Sequence, residues 1–130
     1  MSNFESFRRS LVPLKADPLI TVQKRGMLSL NRSAFAALGS PECVELLYDR
    51  EHTVMGLRAV DPKADNAYTV RRATSSPSGP WVISAMAFTK FYDIDTTRSL
   101  RWAAYLEGEV LCADLSVPGV PVTSNRERRQ

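Results

Sequence analysis

The chain has 130 residues, a length that suits one domain with a single hydrophobic core. Hydrophobic residues make up 44% of it and charged residues 24%, a balance that excludes overall disorder. No apolar run approaches the roughly 18 residues of a membrane span, and the N-terminus lacks the apolar stretch of a signal peptide. We therefore expect a cytoplasmic protein with no membrane partner.

The charge is unevenly distributed along the chain. The net charge is +3, yet residues 18–116 carry eleven Lys or Arg and eleven Asp or Glu, so this stretch is neutral. The excess lies in a predicted N-terminal arm, 1–17, and a predicted polar C-terminal tail, 117–130. A neutral body disfavours polyanion binding, because contacts to phosphate supply most of the non-specific affinity for nucleic acid.

The first part of the domain, 18–61, predicts two strands, a short helix and a hairpin. Alternation of apolar and polar residues predicts strands at 20–23 and 27–30, with Lys24-Arg25-Gly26 as the turn between them. Asn31 is placed as the N-cap of a helix with Ala34, Phe35 and Leu38 on its apolar face, and Gly39 is placed to end it. Two strands follow at 44–48 and 53–60, joined by the polar turn 49–52.

The second part, 66–116, predicts the same order of elements. Tyr68–Arg72 matches Ile20–Lys24, and Trp81–Ser84 matches Leu28–Asn31, which puts Ser84 in the N-cap position. Ala87-Phe88 matches Ala34-Phe35, and Phe91 matches Leu38 on the core face of the second helix. The loop 73–80 is longer than its counterpart, and strands at 101–105 and 109–115 close the unit around the turn Glu107-Gly108. We interpret the order as an internal duplication; an ordinary mixed sheet with similarly capped helices is the alternative.

The first unit resembles the AbrB/SpoVT family of swapped-hairpin DNA-binding domains. The resemblance covers about 40 residues and depends on the turn Lys24-Arg25-Gly26, the strand Met27–Leu30, the capped helix ending in Leu38-Gly39 and the following hairpin. It implies a mostly β fold with two short helices (α+β). In such a fold two ββαββ repeats would form a swapped-hairpin-like barrel as an intrachain pseudo-dimer. It also implies a transcription-regulatory protein that binds duplex DNA.

The residues expected to contact phosphate lie at the hairpin turns. In the pseudo-dimer the two turns could present Lys24, Arg25, Arg71 and Arg72 on one face, with Arg32 as a further basic residue, and base contacts would be needed for specificity. The sequence departs from the family where Met27 follows the turn glycine and where Phe35 and Ala36 replace helix arginines. These departures leave a second hypothesis open, in which the barrel has lost DNA binding and contacts a protein partner. Association into a homo-oligomer is also open.

The remaining motifs predict structure more than chemistry. His52 falls in an exposed turn, and one histidine with no paired cysteines is too few for a typical zinc site. Cys43 and Cys112 are expected to be buried free thiols. Asp93 and Asp95 are typical of a helix end followed by a new cap, and Phe88 and Phe91 of a core. We therefore predict no catalytic residues, no metal and no cofactor, and a binding protein and not an enzyme.

Overall fold

The computed structural model describes residues 17–76 and 79–122. Residues 1–16 of the predicted arm 1–17 and the chain from 123 onward lie outside them. The described chain forms the strands β1 (Leu19–Val22), β2 (Met27–Leu30), β3 (Cys43–Asp49), β4 (Val54–Val60), β5 (Tyr68–Thr69), β6 (Arg71–Arg72), β7 (Trp81–Ser84), β8 (Leu100–Glu107), β9 (Val110–Asp114) and β10 (Val120–Pro121). Its helices are α1 (Arg32–Ala37) and α2 (Met86–Phe91). Within these residues no helix is long and apolar enough to cross a membrane.

The strands follow the order β5-β3-β4-β9-β8-β1-β2-β7-β6, and β10 adds to β8. Every neighbouring pair in this order is antiparallel. The two ends of the order, β5 and β6, are consecutive in the chain and are separated only by Val70. The sheet therefore curls into a nearly closed barrel, which confirms the prediction of a mostly β fold with two short helices.

The strand β8 belongs to two parts of the sheet. Its residues 100–103 pair with β1, and its residues 104–107 pair with β9. Alternate residues of the strands point into the barrel, and the core contains among others Ile20, Leu28, Val44, Leu57, Ile83 and Leu111, all fully buried. These buried residues run from Ile20 to Leu111 and come from strands of both parts of the chain, so the two parts share a single core.

The predicted caps and turns of the first unit are confirmed. The Asn31 side-chain oxygen accepts a hydrogen bond from the backbone N–H of Ala34 at 2.9 Å and another from that of Leu19 at 3.0 Å. The helix end at Gly39 has φ +85°, the left-handed region that glycine adopts without a steric cost. Cys43 and Cys112 are buried free thiols, as predicted.

Two predictions for the second helix are wrong. Ser84 is the last residue of β7, Ala85 occupies the N-cap position, and no side chain caps α2. The two helices therefore begin 54 positions apart (86 − 32), whereas the predicted match places them 53 apart. A shift of one residue turns a helix by about 100°. Phe88 lies in the core as predicted and is 6% exposed, but Phe91, which was also predicted in the core, is 70% exposed.

The predicted strand over 68–72 is split, because Tyr68–Thr69 pairs with β3 and Arg71–Arg72 pairs with β7. At the C-terminal side the fold continues past the predicted boundary at 116. Val120 and Pro121 pair with β8, and the Trp102 indole donates a hydrogen bond to the backbone oxygen of Val117 at 2.8 Å. Residues 117–122 are therefore part of the barrel.

Candidate functional site

The turn between β1 and β2 projects two basic side chains while its backbone is held by the second half of the chain. The N–H of Lys24 donates to Ser99 Oγ at 2.9 Å, and the N–H of Arg25 donates to the Thr96 carbonyl at 3.2 Å. Both side chains are exposed. Arg25 has φ +77°, a left-handed conformation that costs a residue with a Cβ roughly 1–2 kcal/mol.

Gly26 brings this turn against α2. It is buried with φ +97°, and a Cβ built on it would lie 2.6 Å from Thr89 Oγ1 and 3.1 Å from the backbone of Met86. Only a residue without a side chain therefore permits this approach. The consequence is that Lys24 and Arg25 lie beside the N-terminal end of α2.

Arg71 and Arg72 are neighbours in sequence but lie on opposite faces of the sheet, as alternating strand residues do. Arg71 Nη2 is 3.5 Å from Ser84 Oγ, which in turn is 3.7 Å from Met27 Sδ. The Arg72 guanidinium instead lies 5.6 Å from the centre of the Trp81 ring. Arg71 therefore reaches toward the turn at Lys24-Arg25, and Arg72 does not.

The five predicted residues consequently form two groups. Met27 pairs with Ser84 and Leu30 pairs with Trp81, so the two groups are separated by three residues along the β2/β7 pair, about 10 Å. Lys24, Arg25 and Arg71 lie at the first end. Arg72 lies at the second end, where the Trp81 ring stacks on Phe35 of α1 at 4.2 Å, and Arg32 is exposed in the first turn of α1. The expectation that both turns present their charges at one place is wrong, because β2 and β7 run antiparallel.

Arg101 is a basic residue that the sequence did not single out. One row of cross-strand partners runs through Arg101, Thr21, Ser29, Val82 and Arg71. The two arginines stand four strand spacings apart, about 19 Å, and Ser29 and Val82 between them are buried. Because β1 and β8 are distant in sequence, no local sequence pattern predicted that Arg101 lies in the same row as Arg71.

The charges of the barrel are segregated between two parts of the sheet. We call the first part the basic sheet: β1, β2, β6, β7, β10, residues 100–103 of β8 and the turn 23–26. It carries no Asp or Glu and five basic residues, namely Lys24, Arg25, Arg71, Arg72 and Arg101. We call β3, β4, β9, residues 104–107 of β8 and their two turns the hairpin sheet. It carries two basic residues and six acidic ones, namely Glu45, Asp49, Glu51, Glu107, Glu109 and Asp114.

The outer side of the hairpin sheet contains an open groove of about 730 Å³. Its lining includes Asp49, Glu107 and Asp114 together with apolar residues, and we call it the acidic groove. His52 stands at its edge, with Nδ1 2.8 Å from the Asp49 carboxylate. That hydrogen bond holds the pKa of Asp49 below its ordinary value.

The other sequence candidates have structural roles. α2 ends at Phe91, and Asp93 beyond it adopts the left-handed conformation, while the Asp95 carboxylate accepts from the Thr97 N–H and hydroxyl. The histidine is exposed, as predicted. Within 17–76 and 79–122 no group of three or more His, Cys, Asp or Glu is arranged to hold a metal ion.

Comparison of the chain with protein-family models, with curated proteins and with solved structures gives no significant match.

Proposed function

We propose that the two halves of this barrel are equivalent and exchange strands, as in the swapped-hairpin domains that the first unit resembles. The strand order supports this. The first strand of the first half, β1, pairs with β8, which follows α2, and β5 of the second half pairs with β3, which follows α1. Each half thus lends its first strand to the hairpin of the other, and β2/β7 and β4/β9 form the two contacts between equivalent strands.

On this barrel we propose a binding function directed at duplex DNA, through phosphate contacts from the basic sheet. The observation that carries the proposal is the segregation of charge: the overall charge of the described residues is nearly neutral, but Lys24, Arg25, Arg71 and Arg101 occupy a part of the barrel whose strands contain no carboxylate. Phosphate contacts of this kind position a protein on a duplex without reading sequence. A transcription-regulatory role would follow from additional base contacts.

Arg25 adds a second line of support. Glycine would occupy the left-handed position of Arg25 without strain, so the exposed arginine there lowers stability. Strained residues of this kind cluster at functional sites. The guanidinium at the tip of the turn is the group best placed to contact a phosphate first.

The test is the salt dependence of binding to a fluorescein-labelled 20-base-pair duplex, measured by fluorescence anisotropy. Four phosphate contacts give a slope of log K against log salt of about −3.6, and hence a loss of about 150-fold in affinity between 50 and 200 mM salt. Lys24→Ala/Arg25→Ala should reduce the slope to about −1.8. Lys63→Ala, at an exposed lysine in the loop after β4, is the matched control and should leave the slope unchanged.

The grouping of the arginines gives the test a sharper form. Arg71→Ala should reduce the magnitude of the slope by about 0.9. Arg72→Ala should leave the slope nearly unchanged, because the Arg72 guanidinium lies over Trp81. No binding at 50 mM salt would overturn the proposed DNA function. Equal effects of the two substitutions would overturn the assignment of the phosphate contacts to the face that carries Arg71, and not to the face that carries Arg72.

A second candidate function is protein binding without DNA, on the surface of α2. Met86 and Phe91 are 61% and 70% exposed on this helix, next to the turn at Lys24-Arg25. Large exposed apolar side chains of this kind are typical of protein contacts. Loss of partner binding in Phe91→Ser, with DNA absent from the complex, would favour this candidate.

A further inference from the structure

The acidic groove crosses the strands of the hairpin sheet and has an apolar floor. Its floor is the row of cross-strand partners Leu47, Gly56, Cys112 and Tyr105. The row is concave because its two central residues are small, while Leu47 and the 42% exposed Tyr105 stand at its ends. A Cβ on Gly56 would lie 2.5 Å from Val110 Cγ1, so the absence of a side chain at Gly56 lets Val110 pack against the floor.

The two banks of the groove carry carboxylates. Glu107 and Val110 pair on one bank, and Asp49, Val54 and Asp114 form the other. None of the described residues that line the groove is a lysine or an arginine. Glu45, in the same row as Glu107 and Val110, is already paired with Arg58, so the charge facing the groove comes from Asp49, Glu107 and Asp114.

Hydrogen bonds stabilise the ionised form of the Asp114 carboxylate. Ser116 donates to Asp114 through its backbone N–H at 3.0 Å and its hydroxyl at 2.5 Å, and these bonds lower the pKa of Asp114. Burial, followed by nearby negative charges that include Asp114 and Glu107, raises the pKa of Tyr105. The phenol at the end of the floor therefore stays neutral beside the acidic banks.

We propose that the acidic groove binds lysine or arginine side chains from a basic peptide segment of a partner protein. Such side chains combine an apolar stem with a cationic head. The stem would lie along the floor between Leu47 and Tyr105, and the head would reach the carboxylates of Asp114 or Glu107. A volume of about 730 Å³ lies within the range of ligand sites, roughly 300–1,000 Å³. The proposed DNA interface lies on the other part of the barrel, so this site acts independently of it.

The test uses the full chain and a fluorescein-labelled octapeptide of alternating arginine and alanine, at 50 mM salt, with anisotropy as the readout. The comparison peptide carries citrulline, the uncharged isostere, in place of arginine. The groove variant Glu107→Gln/Asp114→Asn removes two charges that line the groove. The matched control, Glu51→Gln/Glu109→Gln, removes two carboxylates from the turns of the same hairpin sheet that do not line it.

We expect the groove variant to weaken binding of the arginine peptide by about three- to thirtyfold, from the loss of two exposed ion pairs. The control variant should change it less than twofold, and the citrulline peptide should not bind. Tyr105→Ala should also weaken binding, because the arginine stem loses its contact with the floor. Lys24→Ala/Arg25→Ala should leave peptide binding unchanged, which separates this proposal from the DNA function.

Equal losses in the groove and control variants, or equal binding of the citrulline peptide, would overturn the proposal. The groove could instead be filled by the basic sheet of a second copy of the chain. Sedimentation equilibrium tests for this self-association. Self-association that the groove variant abolishes would assign the groove to that copy and overturn the partner peptide. If circular dichroism shows that the double variant is unfolded, Asp49→Asn replaces it in the same comparison.

Discussion

The close approach of the turn at Gly26 to α2 makes a quantitative prediction for Gly26→Ala. An alanine at φ +97° costs roughly 1–2 kcal/mol in backbone strain. Its Cβ would also meet the buried Thr89 hydroxyl at 2.6 Å and the Met86 backbone at 3.1 Å, and overpacking of this kind costs roughly 1–3 kcal/mol. The lower entropy of the unfolded alanine chain offsets about 0.5–1 kcal/mol. We expect a net loss in the free energy of unfolding of about 1–4 kcal/mol.

Gly39→Ala is the matched control for this prediction. Gly39 has φ +85°, but a Cβ on it would meet nothing within 4 Å. The control therefore carries the backbone strain without the collision, and its expected loss is at most about 1.5 kcal/mol. Urea unfolding followed by circular dichroism at pH 7 gives both values with one method. A difference between the two variants of less than about 0.5 kcal/mol would refute the turn–helix contact, and with it the position of Lys24 and Arg25 beside α2.

Three further predictions concern stability and its relation to binding. Arg25→Gly relieves the backbone strain at φ +77°. We expect thermal unfolding to give a free energy of unfolding equal to that of the parent or up to about 1 kcal/mol higher, while the affinity for DNA falls. A clear loss of stability would contradict the strain argument. Phe88→Ala should cost about 3–5 kcal/mol in urea unfolding and Phe91→Ala less than about 0.5, because only the first is in the core. Hydrogen bonds from Thr97 lower the pKa of Asp95, so the ionised Asp95 contributes to stability at neutral pH. This contribution is lost as the pH falls through the depressed pKa, below about 4. Asp95→Asn should therefore weaken the acid dependence of the melting temperature.

The local elements were predictable because each depends on neighbouring residues. The turn at Lys24-Arg25-Gly26, the cap at Asn31 and the strand β2 were located from alternation and from residues with specific turn or cap preferences, and β7 from its match to the first unit. The same local reasoning misplaced the start of α2. Ser84 is a favourable cap residue, but its position at the end of β7, opposite Met27, takes it into the strand ladder.

The candidate site depends on contacts that sequence spacing does not contain. Arg71 and Arg72 looked alike in sequence, and only the pairing of β6 with β7 places them on opposite faces of the sheet. Arg101 joins the basic sheet because Thr21 is its cross-strand partner across 80 residues of chain (101 − 21). The acidic groove likewise requires the pairing of Gly56 with Cys112, which no local pattern predicts. The equivalence of the two halves stays a prediction, and so does the DNA function, which the salt dependence of binding tests.

The division of β8 between two partners has a consequence for synthesis of the chain. β1 acquires this neighbour only when residues 100–103 have left the ribosome, so for most of translation one side of β1 is unsatisfied. Long-range pairing of this kind is slow and leaves an edge to which another chain can add. Two nascent chains could each supply the missing segment to the other, and the product would be an intertwined dimer with the same ladders as the monomer. Refolding at high protein concentration should enrich this dimer, and refolding at high dilution should suppress it.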